Sequence, residues 1–296
     1  MGRSDMKRWL RRIPLITPLG KLGKSIFSHV MGIKDPKTLE QLNINSYPQG
    51  AKIKEALRLL KQQELPKSEQ QWIANIEQER KYLLSRNEPL IDGTLGDGGI
   101  YDNGATIKMA CQVSQPLKSA LMLYLITRVL KPQRVIELGT NVGLSSAYIM
   151  AALDVNGQNG TLTTLDSSLY RQKLAKEVHS NLGLNNVTYV GGLFADTLRG
   201  TLNKLGSIDF AFIDGHHQYK PTLDYFGEIF RFSTVDAVFV FDDIRWSDGM
   251  KKAWSELQDD GRLGLLVDLY SVGICVRAHE PTSRRFVLSP IYNAFH

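Results

Sequence analysis

Two short segments concentrate the residue types that move protons and bind cations. Asp214-Gly215-His216-His217 and Asp242-Asp243 each follow directly on an apolar run, FAFI at 210–213 and AVFVF at 237–241. Carboxylates are hard oxygen donors and imidazole titrates near neutral pH, so these segments offer divalent-cation and general-base chemistry. A third segment suits ligand binding. The run RVIEL at 134–138 leads into Glu137-Leu138-Gly139-Thr140-Asn141-Val142-Gly143-Leu144-Ser145. Gly139 and Gly143 let the backbone approach a ligand closely, and the helix that follows presents unpaired N–H groups. No GxGxxG occurs, and Glu137 ahead of the loop points away from a pyrophosphate and towards a ligand carrying positive charge. Asp166, after TLTTL at 161–165, can accept two hydrogen bonds from a ribose diol.

The elements that must position these groups follow from the hydrophobic pattern. RVIEL, TLTTL, VTYV (187–190), FAFI and AVFVF are short runs apolar on both faces, separated by helix-length spacers. That pattern predicts buried parallel strands joined by right-handed crossovers, with the ligand beyond their carboxyl ends. LGLLVDLY (263–270) and SVGICV (271–276) abut, which predicts two antiparallel strands closing the sheet edge. Ser114 is expected to cap a helix running to about Leu130, with Pro116 in its first turn. Upstream, Ile53, Ala56, Leu57 and Leu60 predict one amphipathic helix ending near Pro66. Ser68 with Gln71 predicts a capping box opening another, continued by Trp72, Ile73, Ile76 and Leu83. Asp92–Gly104 holds five glycines and reads as a linker or a lid.

ELGTNVGLS resembles the first motif of class I S-adenosylmethionine-dependent methyltransferases, in the form found in the catechol O-methyltransferase-like branch. The resemblance continues through Asp166, GGLFADTL (191–198), FIDGHHQY, VFVFDDI and the closing strands, over roughly residues 114–278. It implies a doubly wound, seven-stranded, mostly parallel α/β sheet over 114–296; by charge and pattern alone, a basic arm (1–50) and a helical cap with a Gly-rich loop (51–113) precede it. S-adenosyl-L-methionine is the implied cofactor. Glu137, Gly139, Thr140, Asn141, Gly143, Ser145, Asp166, Ser167 and Asp214 would bind it, with Phe194 and Ala195 beside the adenine. In this fold the fourth and fifth strands are neighbours, so Asp214, Asp242 and Asp243 should converge at one rim. Related O-methyltransferases bind a divalent metal there, and the catechol type has Asn where this chain has Asp243. Mg²⁺ or a similar cation is therefore an expectation. It would lower the pKa of an acceptor hydroxyl and fix its angle of attack. His217 is the first candidate base, since DGHHQY looks like a DGxHxY pattern, although catechol enzymes carry lysine there; His216 is the second. Trp246 and Arg245 are expected near the cleft mouth, beside a turn at Asp248-Gly249, and Trp254 in the core.

Charge narrows the partners. The chain carries a formal +6. Residues 1–30 contain Arg3, Lys7, Arg8, Arg11, Arg12, Lys21 and Lys24 against Asp5, seven minus one, so the remainder is formally neutral. The body has no net basic balance to attract nucleic acid, and no NPPY-type motif for base amines is present. The arm, with Trp9, Leu10, Ile13 and Phe27 among its bases, reads as a solvated extension or a weak membrane-surface contact. Two distant cysteines without metal spacing suit a reducing cytoplasm. The expected activity is methyl transfer to a hydroxyl of a small molecule or glycan. A silent methyltransferase-like binding module, tethered or not, and an N-methyltransferase are the alternatives. Acceptor identity and oligomeric state are not legible at this level.

Overall fold

The computed structural model describes residues 48–62, 65–91, 105–157, 160–280 and 286–288. The basic arm and the Gly-rich segment 92–104 lie outside the described residues. Four helices precede the first strand: α1 (Pro48–Gln62), α2 (Lys67–Ser85), α3 (Ile107–Gln112) and α4 (Leu117–Leu130). Strands and helices then alternate as β1 (Arg134–Leu138), α5 (Leu144–Val155), β2 (Thr161–Asp166), α6 (Leu169–Asn181), β3 (Val187–Gly191), α7 (Phe194–Leu205), β4 (Ile208–Ile213), α8 (Tyr219–Phe232), β5 (Ser233–Phe241) and α9 (Asp248–Gln258). The chain closes with β6 (Leu263–Asp268), β7 (Gly273–Arg277) and β8 (Phe286–Leu288).

The sheet order is β3-β2-β1-β4-β5-β7-β6-β8. β1 to β5 run parallel, and β7 lies antiparallel to both β5 and β6. This is the expected seven-stranded doubly wound sheet, extended by β8, which pairs in parallel with β6. The strand order reverses between β1 and β4, and there the ligand crevice belongs.

Side chains alternate across a strand, so a sheet covered on both faces needs two apolar sets. Val135, Leu162, Phe210, Phe212, Val238 and Val240 enter one core with α1, α4, α5 and α6. Ile136, Leu138, Leu165, Ala211, Phe239 and Phe241 enter the other with α7, α8 and α9. The α1 face of Ile53, Ala56, Leu57 and Leu60 belongs to the first core, sharing it with the sheet. α4 is apolar nearly all round because α1 and α5 flank it.

Three local starts differ from expectation. Pro116 is itself the N-cap of α4, and Ser114 lies outside the helix, donating to the Ala110 carbonyl. Proline disfavours helical backbone at the residue before it, which holds Gln115 out of the helix. α2 begins at Lys67 with Pro66 as N-cap and no side-chain cap bond, so no capping box forms. Asp248-Gly249 opens α9 rather than a free turn, because the Ser247 hydroxyl caps the helix from Met250 N. Cys111 and Cys275 are buried free thiols. No helix among the described residues is long and apolar enough to cross a membrane.

Candidate active site

The Gly139–Gly143 turn joins β1 to α5 at the switch point. Gly139 (φ 103°), Asn141 (φ 45°) and Gly143 (φ 82°) all take left-handed backbone. Gly139 is required by a close approach: a Cβ there would stand 2.2 Å from the Asp214 carbonyl oxygen at the end of β4.

Beneath the turn lies a buried polar knot. Glu137 is wholly inaccessible to solvent, and its carboxylate accepts hydrogen bonds from the hydroxyls of Ser145 (2.6 Å), Ser146 and Thr164 (2.6 Å). Thr140 shares a 2.6 Å hydrogen bond with Thr164. Burial pushes the Glu137 carboxyl up to about 7, and the three hydroxyls counter that rise. The structure thus sets Glu137, Thr140 and Ser145 under the loop, where they bond one another and hold its shape.

From behind, His179 of α6 braces the same turn. Its Nε2 lies 2.8 Å from the Gly143 carbonyl oxygen and its Nδ1 bonds the Tyr189 hydroxyl. A carbonyl can only accept, so Nε2 carries the hydrogen and Nδ1 accepts from Tyr189. Burial lowers the His179 pKa to about 4, which keeps the ring neutral. No spacing in the sequence marks His179 for this position.

At the end of β2, Asp166 Oδ2 accepts from Asn141 N and Oδ1 from Ser168 N, each at 2.8 Å. The carboxylate closes the β1 and β2 turns on each other. Ser167, between them, is half-buried. The Asn141 amide donates to the Ala110 carbonyl (2.9 Å) and Ser114 Oγ (3.2 Å), tying the α3–α4 connection to the turn. Asn141 Oδ1 is buried and accepts no bond from the described residues. Phe194 meets Tyr225 edge-on at 5.5 Å and lies against the Cα of Gly215, while Ala195 is exposed at the start of α7.

The reacting rim lies one strand over. Asp214, after β4, and Asp242, after β5, do meet. The Nε2 of Gln115 donates to Asp214 Oδ2 at 2.8 Å and to Asp242 Oδ2 at 2.6 Å. Both carboxyls are held above the usual carboxylate range, first by burial and then by the charge of Asp243. Asp243, at φ 52°, is near enough to act electrostatically on both carboxyls. Among the described residues, no group of three or more His, Cys, Asp or Glu side chains is arranged to hold a metal ion. The donor set explains why Asp214 and Asp242 do not fit a cation as they stand. The Gln115 N–H₂ group donates to both carboxyls, which also hydrogen-bond each other side chain to side chain.

His217 places Nε2 3.5 Å from Asp214 Oδ1 and is partly exposed at the rim. His216, at φ 66°, bonds the Tyr225 hydroxyl through Nδ1 at 2.9 Å. Arg245 makes a bidentate pair with Asp268 at 2.7 and 2.6 Å, and Asp268 also accepts from Trp254 Nε1. That clamp ties the loop after β5 to β6 and leaves Trp246 on the surface. Trp254 is core, as expected, with its ring under Gly273. Gln115 is the site residue that the sequence did not reveal; an uncharged Gln before a proline carries no spacing signal.

Residues 136–244 match the model of a family described as a methyltransferase domain. A Mycobacterium sp. (strain JLS) protein named "Putative O-methyltransferase" is 26% identical over 102 residues, covering 34% of this chain and 44% of that relative. The chain therefore spans under half the length of the curated relative it matches. The structure of the SAH-bound methyltransferase PaMTH1 of Podospora anserina superposes with TM-score 0.56 at 13% identity, over 90% of this chain and all of that one. The O-methyltransferase TomG of Streptomyces achromogenes, solved with SAM, gives TM-score 0.48 at 20% identity, over 56% of this chain and 82% of its own. At such identities the likeness speaks to fold, and PaMTH1 shares the fold of the methyltransferase domain across nearly the whole chain.

Proposed function

We propose that this chain is an S-adenosylmethionine-dependent methyltransferase whose acceptor is a hydroxyl oxygen of a small molecule or glycan. One observation carries the reading: the glycine turn, Asp166 and the Asp214–His217 pair sit together at the carboxyl ends of β1, β2 and β4, within the segment that matches the methyltransferase family. The relatives named for SAM, SAH or O-methyl transfer support the choice of cofactor and acceptor atom.

The residues present fit that cofactor. Asp166 offers a carboxylate for a ribose diol, and the orphaned Asn141 Oδ1 offers a buried acceptor at the turn. When bound, the cofactor supplies an electrophilic methyl group on a sulfonium. Gly139 and Gly143 keep the turn free of side chains, and Glu137 fixes its shape from beneath. His217 Nε2 faces Asp214 Oδ1 at 3.5 Å, and its imidazole is the group that takes the proton of the acceptor hydroxyl. Asp214 then steadies the imidazolium. The acceptor oxygen would exchange its proton for the methyl group, and the positive charge would come to rest on His217, beside Asp214.

Calorimetric titration of the full chain with S-adenosylhomocysteine tests the reading. Micromolar binding, about −8 kcal/mol, is the expected result. A folded chain that binds none would replace this reading with that of a silent domain.

A further inference from the structure

In metal-dependent members of the resembling branch, carboxylates at the end of the fourth and fifth strands are held together by a divalent cation. Here the same two positions are held by an amide. Gln115 is 5% exposed, comes from a segment outside the sheet, and reaches both Asp214 and Asp242 with one nitrogen. Neighbouring buried carboxylates repel unless a proton, a cation or a donor group relieves them, and Asp214 and Asp242 do bond each other. A cation is one solution. A primary amide is another, since it has two N–H donors diverging from one atom, one for each acceptor.

The setting of Gln115 is built rather than incidental. Pro116 excludes helical backbone at Gln115 and starts α4 immediately after it. The preceding residues are anchored by Asn141, whose amide donates to Ala110 O and Ser114 Oγ. Asn141 belongs to the glycine turn and hands its own backbone N–H to Asp166. One continuous set of contacts thus runs from the ribose-binding acid, through the turn and the 110–115 segment, to the carboxylate pair. A side chain held from both ends in this way has little rotamer freedom left with which to vacate the place of a cation.

We infer that the Gln115 side-chain amide stands in for the divalent cation between Asp214 and Asp242, so that this chain positions its acceptor and transfers its methyl group without a metal. The inference rests on the methyltransferase reading above. Gln115 is a positioning residue in this scheme: it touches neither the methyl group nor the acceptor, and it acts by fixing Asp214, the partner of His217.

Mn²⁺ is the probe, read by the loss of the free-ion signal in electron paramagnetic resonance on the full chain, with and without S-adenosylhomocysteine. The wild-type chain is expected to take up no stoichiometric Mn²⁺ up to ~1 mM, the weak end of protein oxygen sites for divalent cations. Gln115→Glu removes both donors and adds a third carboxylate, and it is expected to bind one Mn²⁺ per chain at least about tenfold more tightly than the wild type. A wild-type site of one Mn²⁺ per chain that Asp242→Asn abolishes would overturn the inference. A folded Gln115→Glu chain with no gain in Mn²⁺ binding would overturn it too. Should Gln115→Glu not fold, the wild-type titration decides alone. Calorimetry with S-adenosylhomocysteine on the same samples keeps the two readings apart: failure there removes the methyltransferase assignment, whereas Mn²⁺ uptake with intact cofactor binding removes only the role of the amide.

Discussion

His179 Nε2 donates a 2.8 Å hydrogen bond to the carbonyl of Gly143, so a buried neutral imidazole on α6 sets the last peptide of the cofactor turn. The same ring closes off the space behind that peptide. A Cβ on Gly143 would stand 2.7 Å from both His179 Nε2 and the Ala175 Cβ, at a φ of 82°. Gly143→Ala is therefore expected to lower stability by about 2–4 kcal/mol and to weaken S-adenosylhomocysteine binding. Urea unfolding and calorimetry on one preparation measure both; a variant as stable as the wild type would show that the turn yields freely.

His217→Ala should leave S-adenosylhomocysteine affinity within about twofold and lower turnover by about 10²–10⁴-fold. Single-turnover rates across a pH series separate the base from a mere contact. Full activity at every pH would remove His217 from the mechanism and return attention to His216.

Asp166 accepts two backbone N–H groups, from Asn141 and Ser168. Asp166→Asn turns one acceptor into a donor facing a donor. The expected loss of cofactor affinity is about 10–100-fold, roughly 1.4–2.8 kcal/mol, with little change in the rate of bound substrate. A variant whose cofactor dissociation constant is unchanged would mean that the ribose is held elsewhere.

The pH dependence of stability has a readable sign at Glu137. Its folded pKa is raised from 4.5 to about 7, so between those values the folded chain holds a proton that the unfolded chain has released. The contribution is fully present below about pH 4.5 and is lost as pH rises towards 7, on the order of 3 kcal/mol in total. Glu137→Gln cannot lose that proton. The stability of wild type relative to Glu137→Gln should accordingly fall between pH 5 and pH 8, as followed by thermal unfolding. A difference that stays flat or rises would contradict the burial of an ionisable carboxyl there.

The elements and the glycine turn were readable because their signals are local. RVIEL, TLTTL, VTYV, FAFI and AVFVF are apolar on both faces, and both faces are in fact covered. The acids fell at strand ends because a parallel sheet delivers its ligand-facing groups there. Ser114 misled because a good capping residue has no advantage when Pro116, two residues on, fixes where the helix starts. Gln115, His179 and Tyr189 were illegible for another reason. Their roles come from contacts across 99, 36 and 10 residues of chain, and no periodicity records such pairings. The aspartates were found at the right rim, yet what lies between them was set by that distant glutamine.

The position of β7 has a consequence for how the chain is made. It enters the sheet between β5 and β6, although β6 precedes it in the sequence. Until residue 277 has left the ribosome, the outer edge of β5 has no strand to pair with, and an open apolar edge invites other chains. The same late hairpin delivers the Ser271 carbonyl that receives Ile244 N, and Asp268, which grips Arg245. The loop carrying Asp242 and Asp243 is thus fastened by the β6–β7 hairpin that follows it in the chain. A nascent or truncated product ending before β7 would hold a complete glycine turn, an unfastened Asp242–Asp243 loop and an open apolar edge on β5.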